Sequence, residues 1–235
     1  ARLSAVDGQE LVRAAAAASA TGVTGRFRPQ ELCNLAWACA ALLVGELGFL
    51  RMATREACQQ LVEFKAQELS NLAWSLGRLG MRAPRLFRCM AERAASRVEH
   101  FEPQGLANLA WAFAALLEKP HAGLFRAIVS DAAYVGRLRN AGPQAWANLA
   151  WSFSALDAEE APAMLQLLAR HVAADGLDGF KPQELSNLAW SLARPSGAAR
   201  ATGRHLALLR AVLAKASEVG LARFSSQELA NIAWA

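Results

Sequence analysis

The sequence predicts an all-α fold, a right-handed α-solenoid of repeated antiparallel helix pairs, on three observations. An eight-residue motif ending in Asn-Leu/Ile-Ala-Trp occurs six times in phase. The tryptophans that close these motifs lie 37, 37, 40, 39 and 44 residues apart, and a period of this length is typical of two-helix repeats. The 235-residue chain is also rich in alanine and leucine, which favours helices. The six motif tryptophans are Trp37, Trp74, Trp111, Trp151, Trp190 and Trp234.

Each repeat opens with a signal for the start of a helix. The six copies begin at about residues 27, 64, 101, 141, 180 and 224. In four of them a proline stands where the motif helix should begin, and its missing N–H has no partner to lose at that position. Ser225 and Glu228 match a capping box in the last copy. The sequence therefore predicts motif helices of about 14 residues, each ending near a glycine or proline. The four prolines are Pro29, Pro103, Pro143 and Pro182.

A second helix is predicted after each of the first five motif helices, from apolar residues at helical spacing. The predicted ranges are residues 51–62, 84–98, 123–138, 162–173 and 204–219. Residues 8–20 are interpreted as the second helix of a preceding repeat, and residues 194–203 as a surface loop. We interpret residues 1–235 as a single α-solenoid array. Because neither end shows a polar capping face, we expect a fragment of a longer repeat protein.

A helical wheel places two stripes on each motif helix. In the first copy, Leu35, Ala36, Cys39 and Leu43 group with Leu32 on the face predicted to pack against the partner helix. The opposite stripe carries the motif's Gln, Asn and Trp. In one interpretation the tryptophan stacks on a base and the amides bond base edges. In the other, the tryptophan fills the groove between repeats and the amides satisfy backbone groups. Because the stripe does not vary, the tryptophans are predicted to form the structural repeat core.

Positions that change between repeats are better candidates for reading a base sequence. The first holds Glu31, Glu68, Gly105, Ala145, Glu184 and Glu228. The second holds Ala38, Ser75, Ala112, Ser152 and Ser191. The third holds Ala41, Arg78, Ala115, Ala155 and Arg194. Basic residues just before a motif helix suit phosphates, because backbone N–H groups point outward there, although ordinary solvated charge is the alternative.

The composition of the chain and the motifs that it lacks argue against enzymes, metal-binding proteins and membrane proteins. The net charge of +5 and the pI near 9.4 permit a polyanionic partner without requiring one. Four cysteines without a Cys-x-x-Cys pair indicate a reducing compartment and buried thiols. The sequence contains neither a phosphate-binding glycine motif nor cysteine and histidine at metal-ligand spacing, and no apolar run reaches the length of a membrane span. We expect no enzyme activity, no cofactor, no metal, no small-molecule substrate and no membrane contact.

The recurring phrase F-x-P-Q-E-L-x-N-L-A-W-A/S, in phase over residues 27–235, resembles the octotricopeptide repeats of algal and other organelle proteins. It is similar also to the related heptatricopeptide repeats, often found upstream of a RAP domain. The resemblance implies an α-solenoid of a chloroplast or mitochondrion that binds RNA and affects RNA stability, processing or translation. Some members are instead structural parts of mitochondrial ribosomes. The Pro-Pro-x-Glu-Trp stretch of many octotricopeptide units is missing, so no base-reading code is carried over. No targeting segment is readable in the chain.

We therefore expect a helical-repeat scaffold that binds single-stranded RNA in a sequence-tuned way. The alternative is a protein-binding scaffold of the same fold, such as an organellar ribosome-associated component. Side-chain amides of the motif and basic residues near the ends of the motif helices are the expected RNA contacts. These candidates are Arg28, Asn34, Lys65, Asn71, Arg78, Asn108, Asn148, Lys181, Asn187, Arg194 and Asn231.

Overall fold

The computed structural model describes residues 5–20, 27–119, 123–194 and 203–235. Over these ranges the chain forms thirteen α-helices, three short 3-10 turns and no strand, so the all-α prediction is confirmed. The chain divides into two compact units, Ala1–Leu124 and Phe125–Ala235. Neighbouring helices pack side by side within each unit. A single α-solenoid over the whole chain stays a prediction.

The first unit is built from two rows of helices. One row holds α1 (Ala5–Ala20), α3 (Leu47–Gln60) and α5 (Pro84–Ala95), in which α3 packs on both α1 and α5. The other row holds the motif helices α2 (Pro29–Ala41), α4 (Ala66–Arg78) and α6 (Pro103–Ala115), in which α4 packs on both α2 and α6. The rows meet where α2 packs on α1 and α3, and where α4 packs on α5. The motif helices α2 and α4 thus each pack on their own partner helix and on the next motif helix.

The second unit repeats this arrangement. Its motif helices are α9 (Pro143–Ala155), α11 (Pro182–Ala193) and α13 (Ser226–Trp234), and α11 packs on both of the others. The partner helices α10 (Ala161–Asp175) and α12 (Gly203–Val219) pack on α9 and α11, and on each other. Two short helices, α7 (Leu124–Ser130) and α8 (Ala132–Leu138), precede α9. Phe125 of α7 stacks on Phe153 of α9, with ring centroids 4.0 Å apart.

Four of the five predicted partner helices, and the helix at residues 8–20, are confirmed as helices with shifted ends. The one predicted over residues 123–138 is instead broken into α7 and α8 at Asp131. The Asp131 carboxylate accepts the Tyr134 N–H at 2.6 Å, and such a side-chain cap starts a new helix. Of the loop predicted at residues 194–203, residues 195–202 lie outside the described part.

The motif helices of the first unit end in left-handed turns. Leu43, Gly80 and Leu117 have φ angles of 55°, 67° and 55°. Each is followed by a backbone bond back into the helix, for example from the Val44 N–H to the Cys39 carbonyl at 2.8 Å. This pattern is the Schellman C-cap. The prediction that Leu43 lies on the buried face of α2 is wrong, because the helix ends first and the Leu43 side chain is 63% exposed.

Motif leucines form the core between the two rows. The leucine five residues before the tryptophan and the one two residues before it are buried in most copies. Burying one leucine stabilises the fold by about 1.5–3 kcal/mol. Small residues bring neighbouring motif helices close together. At Gly77 of α4, an added Cβ would lie only 3.0 Å from the Cα of Ala112 in α6. The buried leucines are Leu32, Leu69, Leu72, Leu106, Leu109, Leu149, Leu185 and Leu188.

Candidate functional site

The Gln-Asn-Trp stripe lies on the solvent-accessible side of each motif helix, which we call the open side. The motif asparagines are half-buried or exposed, whereas the motif leucines of the same helices are buried in most copies. The glutamines are exposed in five copies and half-buried at Gln104. The stripe predicted from the helical wheel is therefore accessible to a ligand. Its asparagines are Asn34, Asn71, Asn108, Asn148, Asn187 and Asn231.

In the second unit the three motif tryptophans touch one another in sequence, and we call this row the tryptophan ladder. The ring centroids of Trp151 and Trp190 lie 6.3 Å apart at an interplanar angle of 38°. Those of Trp190 and Trp234 lie 6.2 Å apart at 32°. These distances fall in the range of attractive aromatic pairs. The Arg194 guanidinium lies 5.1 Å from the Trp190 ring centroid, within cation–π distance.

In the first unit the motif tryptophans stand apart. The rings of Trp37, Trp74 and Trp111, all within the described ranges, make no ring contact with one another. Trp111 lies beside Gly77 of α4, where an added Cβ would be 3.1 Å from its Cζ3 atom. Trp37 is 50% exposed and Trp74 is half-buried. Trp111 thus fills a groove between two motif helices while part of its ring stays accessible.

The amides of the stripe are available for hydrogen bonding. The Gln104 amide donates to the Asn108 Oδ1 at 2.8 Å, and the Gln227 amide donates to the Asn231 Oδ1 at 3.1 Å. This pairing leaves the asparagine N–H groups free for another partner. The side chains of the other four motif asparagines make no protein hydrogen bond within the described part of the chain. The stripe therefore presents both donors and acceptors.

The candidate basic residues differ in their surroundings. Lys65 and Arg78, at the two ends of α4, are exposed and form no ion pair among the described residues. The same holds for Lys181 at the start of α11. Arg28 instead donates from Nε to the Glu31 carboxylate at 2.8 Å, which raises the pKa of Arg28 and lowers that of Glu31. The free charges therefore lie at α4 and α11, with Arg194 over the tryptophan ladder.

The glutamates at the first variable position act as helix caps, and base reading by this position stays a prediction. The carboxylates of Glu31, Glu68, Glu184 and Glu228 each accept the backbone N–H of the residue before the helix, at 2.6–3.0 Å. Only Ser225 completes the capping box, by accepting the N–H of Glu228 at 3.4 Å. Lysine and arginine side chains have no acceptor for the reciprocal bond. The signal that sequence reasoning missed was a glutamate at the third helical residue in four copies.

The second variable position is buried in four of its five copies, so the prediction that it lies on an open edge is wrong for those copies, and Ala38 is half-buried. Ser75, Ser152 and Ser191 are fully buried, and so is Ala112. The three serine hydroxyls donate to the backbone carbonyl of the motif asparagine four residues earlier, at 2.6–2.7 Å. The residue after the tryptophan faces the neighbouring motif helix, where small side chains permit close approach. Small residues in every copy were the available signal.

The third variable position stays on the open side. Ala41, Arg78 and Ala115 are exposed, and Ala155 and Arg194 are half-buried. This position therefore offers changing side chains to a ligand.

Two cysteines are buried as predicted, and two are not. Cys33 donates its thiol to the Glu68 carbonyl at 3.2 Å, and burial raises its pKa to about 12. Burial also raises the pKa of Cys39 to about 11. Cys58 is exposed and Cys89 half-buried, which corrects the prediction for this pair.

Two searches of the described ranges give negative results. No helix there combines the length and apolar character needed to cross a membrane. No three His, Cys, Asp or Glu side chains in those ranges come together in a way that would hold a metal ion.

No protein-family model matches the chain, and no curated protein matches it. The resemblance to octotricopeptide repeats therefore stays a prediction from the motif alone.

Proposed function

We propose that this chain is a helical-repeat protein that binds single-stranded RNA on the open side of its motif helices. The observation that carries the proposal is the tryptophan ladder. Its rings lie 6.2–6.3 Å apart, and Trp151 and Trp190 are half-buried, so part of each ring is accessible. Stacking of one base on an aromatic side chain contributes about 1–3 kcal/mol. The asparagine amides beside the rings supply hydrogen bonds to base edges.

Basic residues at both ends of two motif helices supply the contacts to phosphate. Lys65 and Arg78 flank α4, and Lys181 and Arg194 flank α11. At the start of each helix the backbone N–H groups add to the attraction for an anion. For a single strand, each phosphate that the protein neutralises makes the slope of log affinity against log salt concentration more negative by about 0.7. Binding through these residues therefore weakens as salt rises.

The proposed mechanism is occupancy of the RNA. A folded scaffold that covers a stretch of single strand denies it to nucleases and to competing structures, and so affects RNA stability, processing or translation. Action in a chloroplast or mitochondrion is the part of the proposal that rests on the motif's resemblance alone. The protein is proposed as a binding protein and not as an enzyme.

The deciding experiment measures binding of the full chain to a randomised single-stranded RNA pool at two salt concentrations. We expect salt-sensitive binding that falls at least about tenfold in the variant Lys65→Glu/Arg78→Glu/Lys181→Glu/Arg194→Glu. The matched control reverses four exposed arginines of the partner helices, Arg51→Glu/Arg55→Glu/Arg88→Glu/Arg210→Glu, so the net charge changes equally. Circular dichroism establishes that both variants fold. Equal loss in the two variants, or no loss in the first, contradicts the assigned contacts.

The second candidate function, a protein-binding scaffold, is favoured by two exposed leucines. Leu43 and Leu117 adopt a left-handed backbone conformation and are 63% and 73% exposed, respectively. A left-handed leucine costs about 1–2 kcal/mol, and glycine would form the same Schellman backbone bonds without that cost. The variant Leu43→Gly/Leu117→Gly tests this candidate: it should stabilise the chain and weaken capture of a protein partner. Unchanged partner capture counts against the scaffold function.

A further inference from the structure

We infer that the open side of the motif helices binds single strands without selecting their base sequence, an inference that rests on the RNA binding proposed above. A reader of mixed sequence needs side chains that differ from repeat to repeat on the surface that meets the bases. Three positions vary on the motif helix, and a fourth varies just before it. The fourth is exposed in all six copies, and the proposed function places it against phosphates, which are the same in every sequence. Its residues are Arg28, Lys65, Glu102, Gly142, Lys181 and Ser225. Of the three positions on the helix, one is largely buried and one holds the capping glutamates. The third alternates between alanine and arginine.

The residue after the tryptophan is out of reach of a ligand in four repeats, and the half-buried Ala38 of the first repeat offers only a methyl group. Ser75, Ser152 and Ser191 are fully buried between motif helices, and Ala112 is buried at the same position. Each serine hydroxyl already donates to a helix carbonyl. The change from serine to alanine therefore alters packing and not the surface that a base would meet.

The glutamates of the first variable position are also engaged. Glu68 and Glu184 each accept a backbone N–H at 2.7 Å, from Lys65 and Lys181. The alternatives at this position offer nothing to a base: Gly105 has no side chain, and Ala145 in the fourth copy is buried.

The third variable position is accessible, but it alternates between alanine and arginine. An alanine methyl group carries no hydrogen-bonding atom. Arg78 is a free cation that suits a phosphate, and phosphates are the same in every sequence. Arg194 lies over the Trp190 ring. Changes at this position therefore alter the affinity for RNA as a whole and not the preference for one base over another.

The side chains placed to meet the bases, the motif tryptophan and asparagine, are the same in every repeat, whereas the basic side chains that change meet phosphates. Every base has a π face, so stacking on tryptophan tolerates any sequence. A side-chain amide carries both a donor and an acceptor, so it finds a partner on the edge of any base. Duplex bases are already stacked and paired, so their faces are not available to the tryptophan rings. Such a surface distinguishes a single strand from a duplex, but not one order of bases from another.

The test compares affinities of the full chain for one mixed-sequence RNA, several permutations of that RNA with equal length and composition, and its duplex. We expect the permutations to bind within about twofold of one another and the duplex at least about tenfold more weakly. A motif of mixed bases that binds at least about tenfold more tightly than its own permutation overturns this inference while RNA binding stands. If the folded chain binds no single strand, both the inference and the proposed function fail.

Two sets of variants locate the effect. Ser75→Ala/Ser191→Ala changes only buried positions, so the equal affinities among permutations should persist. Asn71→Ala/Asn187→Ala removes amides from the open side, so affinity should fall by a similar factor for all permutations. A loss confined to one permutation in either set overturns the inference, because it would mean that a single position selects a base.

Discussion

The tryptophan rows of the two units carry the same motif but differ in how the rings meet. In the second unit Trp190 contacts both Trp151 and Trp234, whereas in the first unit the rings stand apart. The residue three positions after the tryptophan also differs between α4 and α9. Gly77 leaves space for Trp111 beside α4, whereas the equivalent Ser154 carries a side chain that donates to the Ser191 carbonyl. The octet thus predicts the helix and its core but does not by itself fix how the rings meet.

The largest expected effect comes from removing the central ring of the ladder. Trp190→Ala loses two aromatic contacts, each worth about 0.5–1.5 kcal/mol, beyond its burial. Trp74→Ala, at the equivalent position of the first unit, loses neither. We therefore expect the free energy of unfolding to fall by about 1–3 kcal/mol more for Trp190→Ala. Urea unfolding followed by far-UV circular dichroism measures the difference, and equal losses would contradict the ladder.

The space beside α4 gives the next effect. Gly77→Ala places a methyl group 3.0–3.1 Å from Ala112 and Trp111, and overpacking of this kind costs about 1–3 kcal/mol. A gain in helix propensity of about 1 kcal/mol offsets part of that cost, so a net loss of about 1 kcal/mol is expected.

The matched change in the second unit is Ser154→Ala. It removes the bond to the Ser191 carbonyl at 3.3 Å and improves helix propensity, so we expect a change within about 0.5 kcal/mol. The same unfolding measurement compares the two. A Gly77→Ala variant more stable than the parent chain would show that α6 moves away without cost.

A smaller effect separates the two equivalent arginines. Arg194→Ala removes the contact with the Trp190 ring and should destabilise the chain by about 0.5–1 kcal/mol. Arg78 has no such contact, and a surface substitution usually changes stability by less than about 0.5 kcal/mol. Thermal unfolding at low and moderate salt tests the pair. Identical shifts in melting temperature would mean that the cation–π contact contributes nothing.

The smallest effect is on pH dependence and involves an exposed carboxyl group in each unit. The hydrogen bond from Arg28 lowers the pKa of Glu31 below its ordinary 4.5, and the one from Lys215 lowers the pKa of Asp178 below 3.8. A lowered folded-state pKa gives stability that is present above the ordinary pKa and is lost as pH falls through the lowered value.

Glu31→Gln and Asp178→Asn should each remove a small part of the stability lost on acidification from neutral pH. Unfolding midpoints measured between about pH 6 and pH 3 test this. If stability falls with pH in the same way in the parent chain and in both variants, solvent screens the Arg28–Glu31 and Lys215–Asp178 pairs completely.

Local signals were predictable from the sequence, and inter-helix geometry was not. The position of α2 was predictable from Pro29 at its first residue and from the 37-residue spacing. Both signals can be read without knowing how neighbouring helices pack. The burial of Ser75 depends on how closely α4 approaches α6, which a wheel for one helix does not contain. Glu68 was misread because its cap partner is the backbone of Lys65 and not a recognisable capping side chain. Asp131 as the start of a new helix was readable in principle.

The ladder also gives the second unit an optical property of its own. Indole rings in contact share their excited states, so Trp151, Trp190 and Trp234 should absorb and emit as a coupled group. The separated rings of the first unit should behave as independent chromophores. The ultraviolet exciton signal of the coupled group therefore reports on the second unit alone. Opening of that unit can be followed in the unlabelled protein through loss of the exciton signal, to which the separated rings of the first unit should not contribute.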